Sequence, residues 1–536
     1  MPYLPGGRVD SSGPIYRFLP PVPEGTTRTF VAALDPSNAW ILDPFGSLPC
    51  LSVEMARTGQ RVLVTASNPL SRFLLDLAAH PPKLSDLQAA LADLAAARKE
   101  GKRLETHLQS LYFTRCDNCQ SELQAEAFLW EAKTSNLIAR IYNCNCGSGG
   151  ELPATAQDVE NAARWALTDG LHRSRALERV APMGDPDRPF AEEALSFYLP
   201  RAVYALGTII NRLDGLSASD ERRRCMIALL LYAADSVNSL WPHITERPRP
   251  RQLVHSPVYR ENNIWMALEA GIKFWASSEN PIPVTLWPEE PPESGGVCIF
   301  EGPLRQLTQD LVERPIKAVV TAIPRPNQAY WSLSALWSGW LWGHLAVGPF
   351  KAVLRRRRYD WQWHAEALKA LFDNLAEVLP VNSTPFLGIL AEPEAPFISA
   401  VFLAARAAGL EISGLALRGV LDPVQILWKK AKQTAVTRRK TALALNVNYT
   451  RKLIREILVV NNEPLDYLRL HTFLVAALVK KEMFFWSEDA LVGLGKNIHA
   501  ALSAPEFVDI EDRSSPETGR WALKKWTHQA SFHGIE

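Results

Sequence analysis

The chain has 536 residues, 47% of them hydrophobic and 21% charged. At roughly 100–200 residues per domain this describes two to four globular domains and excludes a disordered or fibrous chain. Lys+Arg 58 against Asp+Glu 57 leaves a formal charge of +1, so any site for a polyanion must be regional. Seven cysteines, with no charged-then-apolar leader in MPYLPGGRVD, point to a reducing cytoplasm and away from a disulfide framework.

From Trp40 the stretches ILDPF and SVEMARTGQRVLVTASNPL alternate strand, turn, helix and strand, which predicts a βαβ unit and a parallel sheet. Val62, Leu63 and Val64 form its buried strand, Gly59 closes the helix before it, and Asn68-Pro69 opens the next. Residues 84–111 read as one long amphipathic helical excursion. Cys116-x-x-Cys119 and Cys144-x-Cys146 then bracket strand-like pieces at 127–130 and 137–142. Four thiolates on two tight turns form the donor set of a zinc ribbon.

Helical periodicity runs over 158–274 and ends in a Pro- and Glu-rich stretch at 277–296, which reads as an exposed loop. The sheet resumes at 318–320, at 385–390 and in a strand after Gly409. Residues 331–350 carry no Asp, Glu, Lys or Arg and have the length of a membrane span, yet their serines, His344 and Gly348-Pro349 predict a buried core helix. Residues 423–486 read as basic amphipathic helices, and those beyond 509 as a loosely ordered tail.

Three basic clusters are candidates for nucleic acid. Arg355, Arg356, Arg357 and Arg358 precede Tyr359, Trp361, Trp363 and His364. Lys429, Lys430, Lys432, Arg438, Arg439 and Lys440 lead to Arg451, Lys452 and Arg455, in a pattern read as helical. Arg247, Arg249 and Arg251 alternate with prolines as an extended exposed arm.

ILDPFGS at 41–47, Asn68-Pro69, the four cysteines with RIYNC before the second pair, FYLPRAVYAL at 197–206, NNIWMAL at 262–268 and VVTAIPRPNQAYWSLSALW at 319–337 together carry a resemblance. In this order they resemble the bacterial adenine-specific DNA methyltransferases with an inserted zinc ribbon. The resemblance implies a Rossmann-like α/β methyltransferase sheet. Its first half lies at 1–110, a zinc-ribbon insert at 111–152, a helical insertion at 153–297 and the second half at 298–420. A basic helical domain follows at 421–508 and a tail at 509–536.

It also implies three chemical devices. A glycine turn after the first strand lets the backbone approach S-adenosylmethionine, and Asp43, Phe45, Gly46, Asn68 and Pro69 would be its contacts, but Pro49 stiffens the turn. The acid that accepts from the cofactor ribose falls on Ala66, and the motif that holds a flipped adenine is Ala322-Ile323-Pro324-Arg325, without acid or aromatic. Ser256-Pro257-Val258-Tyr259, the substitute motif, reads as a plain turn.

The expectation is therefore a catalytically inactive methyltransferase-like protein that binds structural zinc and binds S-adenosylmethionine weakly or not at all. It serves as a DNA-binding or scaffolding subunit in a restriction-modification or phage-defence complex, with a protein partner and no membrane. An RNA-directed version, and an active S-adenosylmethionine-dependent adenine methyltransferase with divergent motifs, stay open as alternatives.

Overall fold

Trp40–Asp43 (β1) is buried along its whole length. Around it the computed structural model describes residues 1–7, 13–34, 40–243, 249–312, 314–355, 360–381, 384–431, 446–484, 486–487, 489–513 and 515–526. Pro49 stands in the first turn of the helix Pro49–Arg57, where its missing N–H leaves no helical bond unmade, so the stiff turn expected after Gly46 does not form. Gly59, at φ 86°, ends that approach, and Arg61–Thr65 (β2) lies parallel to β1 with Ile41 beside Val62.

Six further strands complete the sheet: Val284–Leu286 (β3), Gly296–Phe300 (β4), Ile316–Ala322 (β5), Phe386–Leu390 (β6), Leu410–Ala416 (β7) and Val424–Lys430 (β8). Their order is β3-β4-β2-β1-β5-β6-β8-β7. Pairing is parallel from β3 to β6, whereas β8 runs antiparallel to both neighbours. The molecule is thus α/β with a mixed eight-stranded sheet. Side chains alternate between its faces as strand geometry requires. Ile41, Val62, Val64 and Val320 enter one core, and Trp40, Leu42, Leu63 and Val319 enter the other.

The chain moves outward from β1 to β2 and β4 and then returns to the far side of β1 for β5 and β6. The winding reverses between β1 and β5, the place where open α/β sheets leave a crevice at their carboxyl ends.

The expected long helix is two helices, Leu84–Ala96 and Leu104–Ser110, broken by a small hairpin whose tip residues Glu100 and Gly101 take φ 53° and 79°. The cysteine-rich insert is not self-contained. In its sheet the strands run Val258–Asn262, Ala127–Glu131, Asn136–Asn143, Gly149–Pro153, so one edge comes from the segment expected to be helical. Tyr259 is buried on that edge strand, which replaces the plain turn expected of Ser256 to Tyr259. The Pro- and Glu-rich stretch likewise supplies β3.

Gln328–Trp342, free of charged residues, is a buried core helix as its serines implied. No described helix is long and apolar enough to cross a membrane. The expected helical start at 421–430 is instead β8, because Trp428 fills the core against Phe386 at 4.9 Å and Phe372 at 6.0 Å. Helices Val447–Asn461, Tyr467–Lys480 and Ala490–Leu502 follow, and they share the second sheet-face core. The expected loose tail pairs Phe507–Asp509 with Arg520–Leu523, burying Trp521. Residues 527–536 lie outside the described ones.

Candidate functional site

Two places collect chemistry-bearing residues: the crevice at the β1/β5 reversal and the four-cysteine cluster.

At the crevice, each residue expected to contact a cofactor has a structural task. Asp43 is fully buried. Its carboxylate accepts from Thr321 Oγ1 at 2.6 Å, Ser52 Oγ at 2.7 Å, and the Gly46 and Phe45 amides at 3.1 and 3.3 Å. Burial raises its pKa, and these four donors oppose the rise. Gly46 holds φ 53°, and a Cβ there would meet Val64 Cγ1 at 2.8 Å and Thr65 O at 3.0 Å, so the turn accepts only glycine. Ser47 Oγ donates to Ala322 O at 2.6 Å and Thr65 Oγ1 to Pro44 O at 2.6 Å, bolting the turn to β5 and β2. Asn68 caps the helix Pro69–Ala79 by accepting from Leu70 N at 2.8 Å, and Pro69 is the first residue of that helix.

Between Phe45, Ser47 and Asn68 on one side and Ile323, Pro324 and Arg325 on the other lies a cavity of about 180 Å³. Ala66, at the ribose-acid position, is buried and offers only its amide, which donates to Phe300 O at 2.9 Å. Ala322 and Ile323 are equally buried.

The cavity is instead crossed by ion pairs. Arg325 donates to Glu392 O at 2.7 Å and pairs with Glu394. Arg249 pairs with Glu392 at 3.0 Å and donates to the carbonyls of Tyr16 and Leu19. Arg251 stands 3.7 Å from both glutamates. The expected extended arm is therefore folded into the crevice at Arg249 and Arg251, while Arg247 lies outside the described residues. Burial lowers the pKa of Arg249 and Arg325, an effect the two carboxylates oppose. Glu392 holds φ 47°, a conformation that costs a non-glycine residue of order 1–3 kcal/mol. The crevice thus sets three guanidinium groups against two carboxylates that pair with them.

The other basic residues are dispersed. Arg355 is held by Asp187 at 2.6 and 3.2 Å, and Arg356, Arg357 and Arg358 lie outside the described residues. Trp361, half-buried, packs on Phe397 at 5.9 Å, and His364 is buried, while Tyr359 lies outside the described residues. Lys429 and Lys430 are half-buried on β8, opposite Glu411 and Leu410, and not on a helix as their spacing implied. Arg438, Arg439 and Lys440 fall outside the described residues. Arg455 pairs with Glu506.

The structure does bring the four cysteines together. Cys116 and Cys119 sit on the turn between Phe113–Arg115 and Glu122–Gln124, and Cys144 and Cys146 on the turn between Asn136–Asn143 and Gly149–Pro153. All four sulfurs lie within 4.8 Å of one another, with Cys116–Cys146 and Cys119–Cys144 at 3.5 Å. This donor set can hold a metal ion.

Sequence reasoning missed what fixes this geometry. Arg140, fully buried, donates to Thr114 Oγ1 and Arg115 O at 2.8 Å, reaches Asp158 at 3.4 Å and pairs with Asp117 between the first two cysteines. Arg201 and Glu261 form a second buried pair at 2.9 Å, and Arg17 and Asp235 a third at 2.6 Å. A lone arginine inside an apolar run, as in RIY and FYLPRAVYAL, was the available signal.

No family model, no curated protein and no solved structure matches this chain.

Proposed function

We propose that the chain is a methyltransferase-like protein that transfers no methyl group, carries structural zinc and serves as a DNA-binding or scaffolding subunit of a larger assembly, of restriction-modification or phage-defence type. The observation that carries this reading is the crevice at the β1/β5 reversal. The turn Asp43–Gly46 is intact there, while the three positions that would do chemistry are Ala66, Ala322 and Arg325, the last tied to Glu392 and Glu394. The doubly wound order with a reversed strand beside the far edge fits the methyltransferase-like sheet that the sequence resemblance implies.

Zinc suits the thiolates because bonds of about 2.3 Å in a tetrahedron separate sulfurs by about 3.8 Å, close to the 3.5 Å spacings seen between paired cysteines. DNA would be held through backbone phosphates, the contacts that fix orientation without reading sequence.

Two measurements test the reading. Tritiated methyl transfer from S-adenosylmethionine to duplex DNA is expected to stay at background; turnover would establish the active enzyme instead. Salt-titrated binding to duplex DNA and to RNA of equal length is expected to favour DNA, with a log–log slope of about −0.9 per phosphate neutralised. Equal or tighter RNA binding, or none to either, would overturn it.

A further inference from the structure

A second cavity, of about 100 Å³ and sharing no lining residue with the crevice, lies between the helices Asp169–Glu178 and Pro200–Gly215. Its floor is apolar, formed by Val203, Leu206 and Ile210, and Tyr204 and Trp340 line it. Tyr204 is fixed on three sides. Trp165 stacks on its ring at 4.5 Å, His172 meets it edge-on at 4.9 Å, and its hydroxyl lies 2.8 Å from His107 Nε2.

The mouth is cationic. Lys99, Arg175 and Arg179 line it, and no Asp or Glu is among the described lining residues. Arg179 is a wall element, bonded to Asp214 at 2.6 Å and to Trp340 O. Arg175 makes no ion pair among the described residues. Lys99 pairs only with Glu100, whose side chain is 65% exposed; such surface pairs contribute little and yield to a competing anion. Asn211 adds an amide at the rim.

Gly207 points to an occupant. It lies inside the helix Pro200–Gly215, where glycine is about the costliest residue after proline. A Cβ at this position would meet nothing within 4 Å, so packing does not demand the glycine. What its absent side chain preserves is the open space of the cavity.

We propose that this cavity binds a nucleoside monophosphate, the base entering beside Tyr204 and Trp340 and the phosphate lying between Lys99 and Arg175. The volume admits one planar ring. Aromatic walls bind any base by stacking, and paired cations at the mouth match a phosphate dianion better than a single carboxylate. The same chemistry is presented by a free nucleotide and by the 5′-phosphorylated end of a strand. The site stands independently of the reading of the crevice.

Calorimetry on the full chain with UMP, uridine, inorganic phosphate, sodium decanoate and a 5′-phosphorylated oligothymidylate tests it. UMP or the phosphorylated strand is expected to bind saturably, and at least tenfold tighter than uridine or phosphate alone; the tighter of the two identifies the source. Gly207→Leu, which fills the cavity from an open helix position, should weaken binding at least tenfold without lowering the thermal midpoint. Arg175→Ala, an exposed change, should weaken it several-fold. No saturable heat with either nucleotide form at millimolar concentration, binding of decanoate instead, or binding unchanged in both variants would overturn the proposal.

Discussion

Replacing Arg201 by Met tests whether the motif residues of this chain are architecture. Arg201 and Glu261 are 3% and 0% exposed and 2.9 Å apart, and leaving one such charge without its partner costs about 3–5 kcal/mol. Arg201 also donates to Leu111 O at 2.8 Å and lies 4.6 Å above the Phe128 ring, which adds about 1–2 kcal/mol. Arg201→Met should therefore cost about 4–7 kcal/mol, and Glu261→Met, which also frees Trp130 Nε1, a similar amount. The double variant strands no charge and loses only the hydrogen bonds and the ring contact, so it should cost about 2–3 kcal/mol, with a coupling of about 5 kcal/mol or more.

Native-state hydrogen exchange at the amides of Ala127–Glu131 and Val258–Asn262, the strands this pair supports, reads the opening free energy directly. Each single variant should speed exchange there by more than two orders of magnitude, at about 1.36 kcal/mol per factor of ten. Single effects that add within about 0.5 kcal/mol would refute the reasoning and reduce the pair to two independent side chains.

Acid should unfold the protein earlier than its carboxylates alone dictate. Burial holds His364 and His471 down at about 4 from 6.5. The unfolded chain takes up these protons from pH 6.5 downward and the folded chain only below about 4, so each costs about 3 kcal/mol of stability across that window and nothing above it. Urea midpoints between pH 7 and 4.5 should fall less steeply in His471→Gln, and an unchanged fall would remove His471 from the explanation. Elemental analysis should find one zinc per chain; chelation or Cys116→Ser should loosen the strands 113–153 in hydrogen exchange while the eight-stranded sheet stays protected, and a metal-free chain with protected hairpins would contradict this. Arg355→Ala should leave DNA affinity within about twofold and its salt slope unchanged, because Asp187 already neutralises that guanidinium; a slope reduced by about one would show that DNA displaces the aspartate.

Much of the sheet was legible because its centre is written in short buried runs. Residues 40–42, 62–64, 318–320 and 386–390 carry no charged side chain and stand near a Gly, Pro or Asn, and all four lie in strands. The gathering of the four cysteines was equally legible, since clustered cysteines in a long chain have few other uses. β8 was not, because its closing Lys429-Lys430 sits half-buried at the strand's end where charge is tolerated, and the partner that makes Trp428 a strand residue is Phe386, far away in sequence. The hairpin at 98–103 was hidden by charged residues that also suit a helix, with Gly101 its one local signal.

The partners of the crevice residues were illegible for a different reason. Asp43, Asn68 and Pro69 occupy the expected places, but a sequence does not say whether a carboxylate faces a ligand or is consumed by Thr321 and Ser52. Arg249 and Arg251 resembled a solvated arm until Glu392 and Glu394 supplied partners.

The pairing of β2 with β4 places residue 63 beside residue 298. On a ribosome adding roughly 5–20 residues per second, tens of seconds separate the emergence of these two neighbours. Through that interval β2 presents an open hydrogen-bonding edge of Val, Leu and Val while the cysteine-bearing hairpins and the following helices are still being made. The nascent chain therefore needs an escort more than its finished form does. Yield in cells should respond to chaperone supply before it responds to any surface substitution.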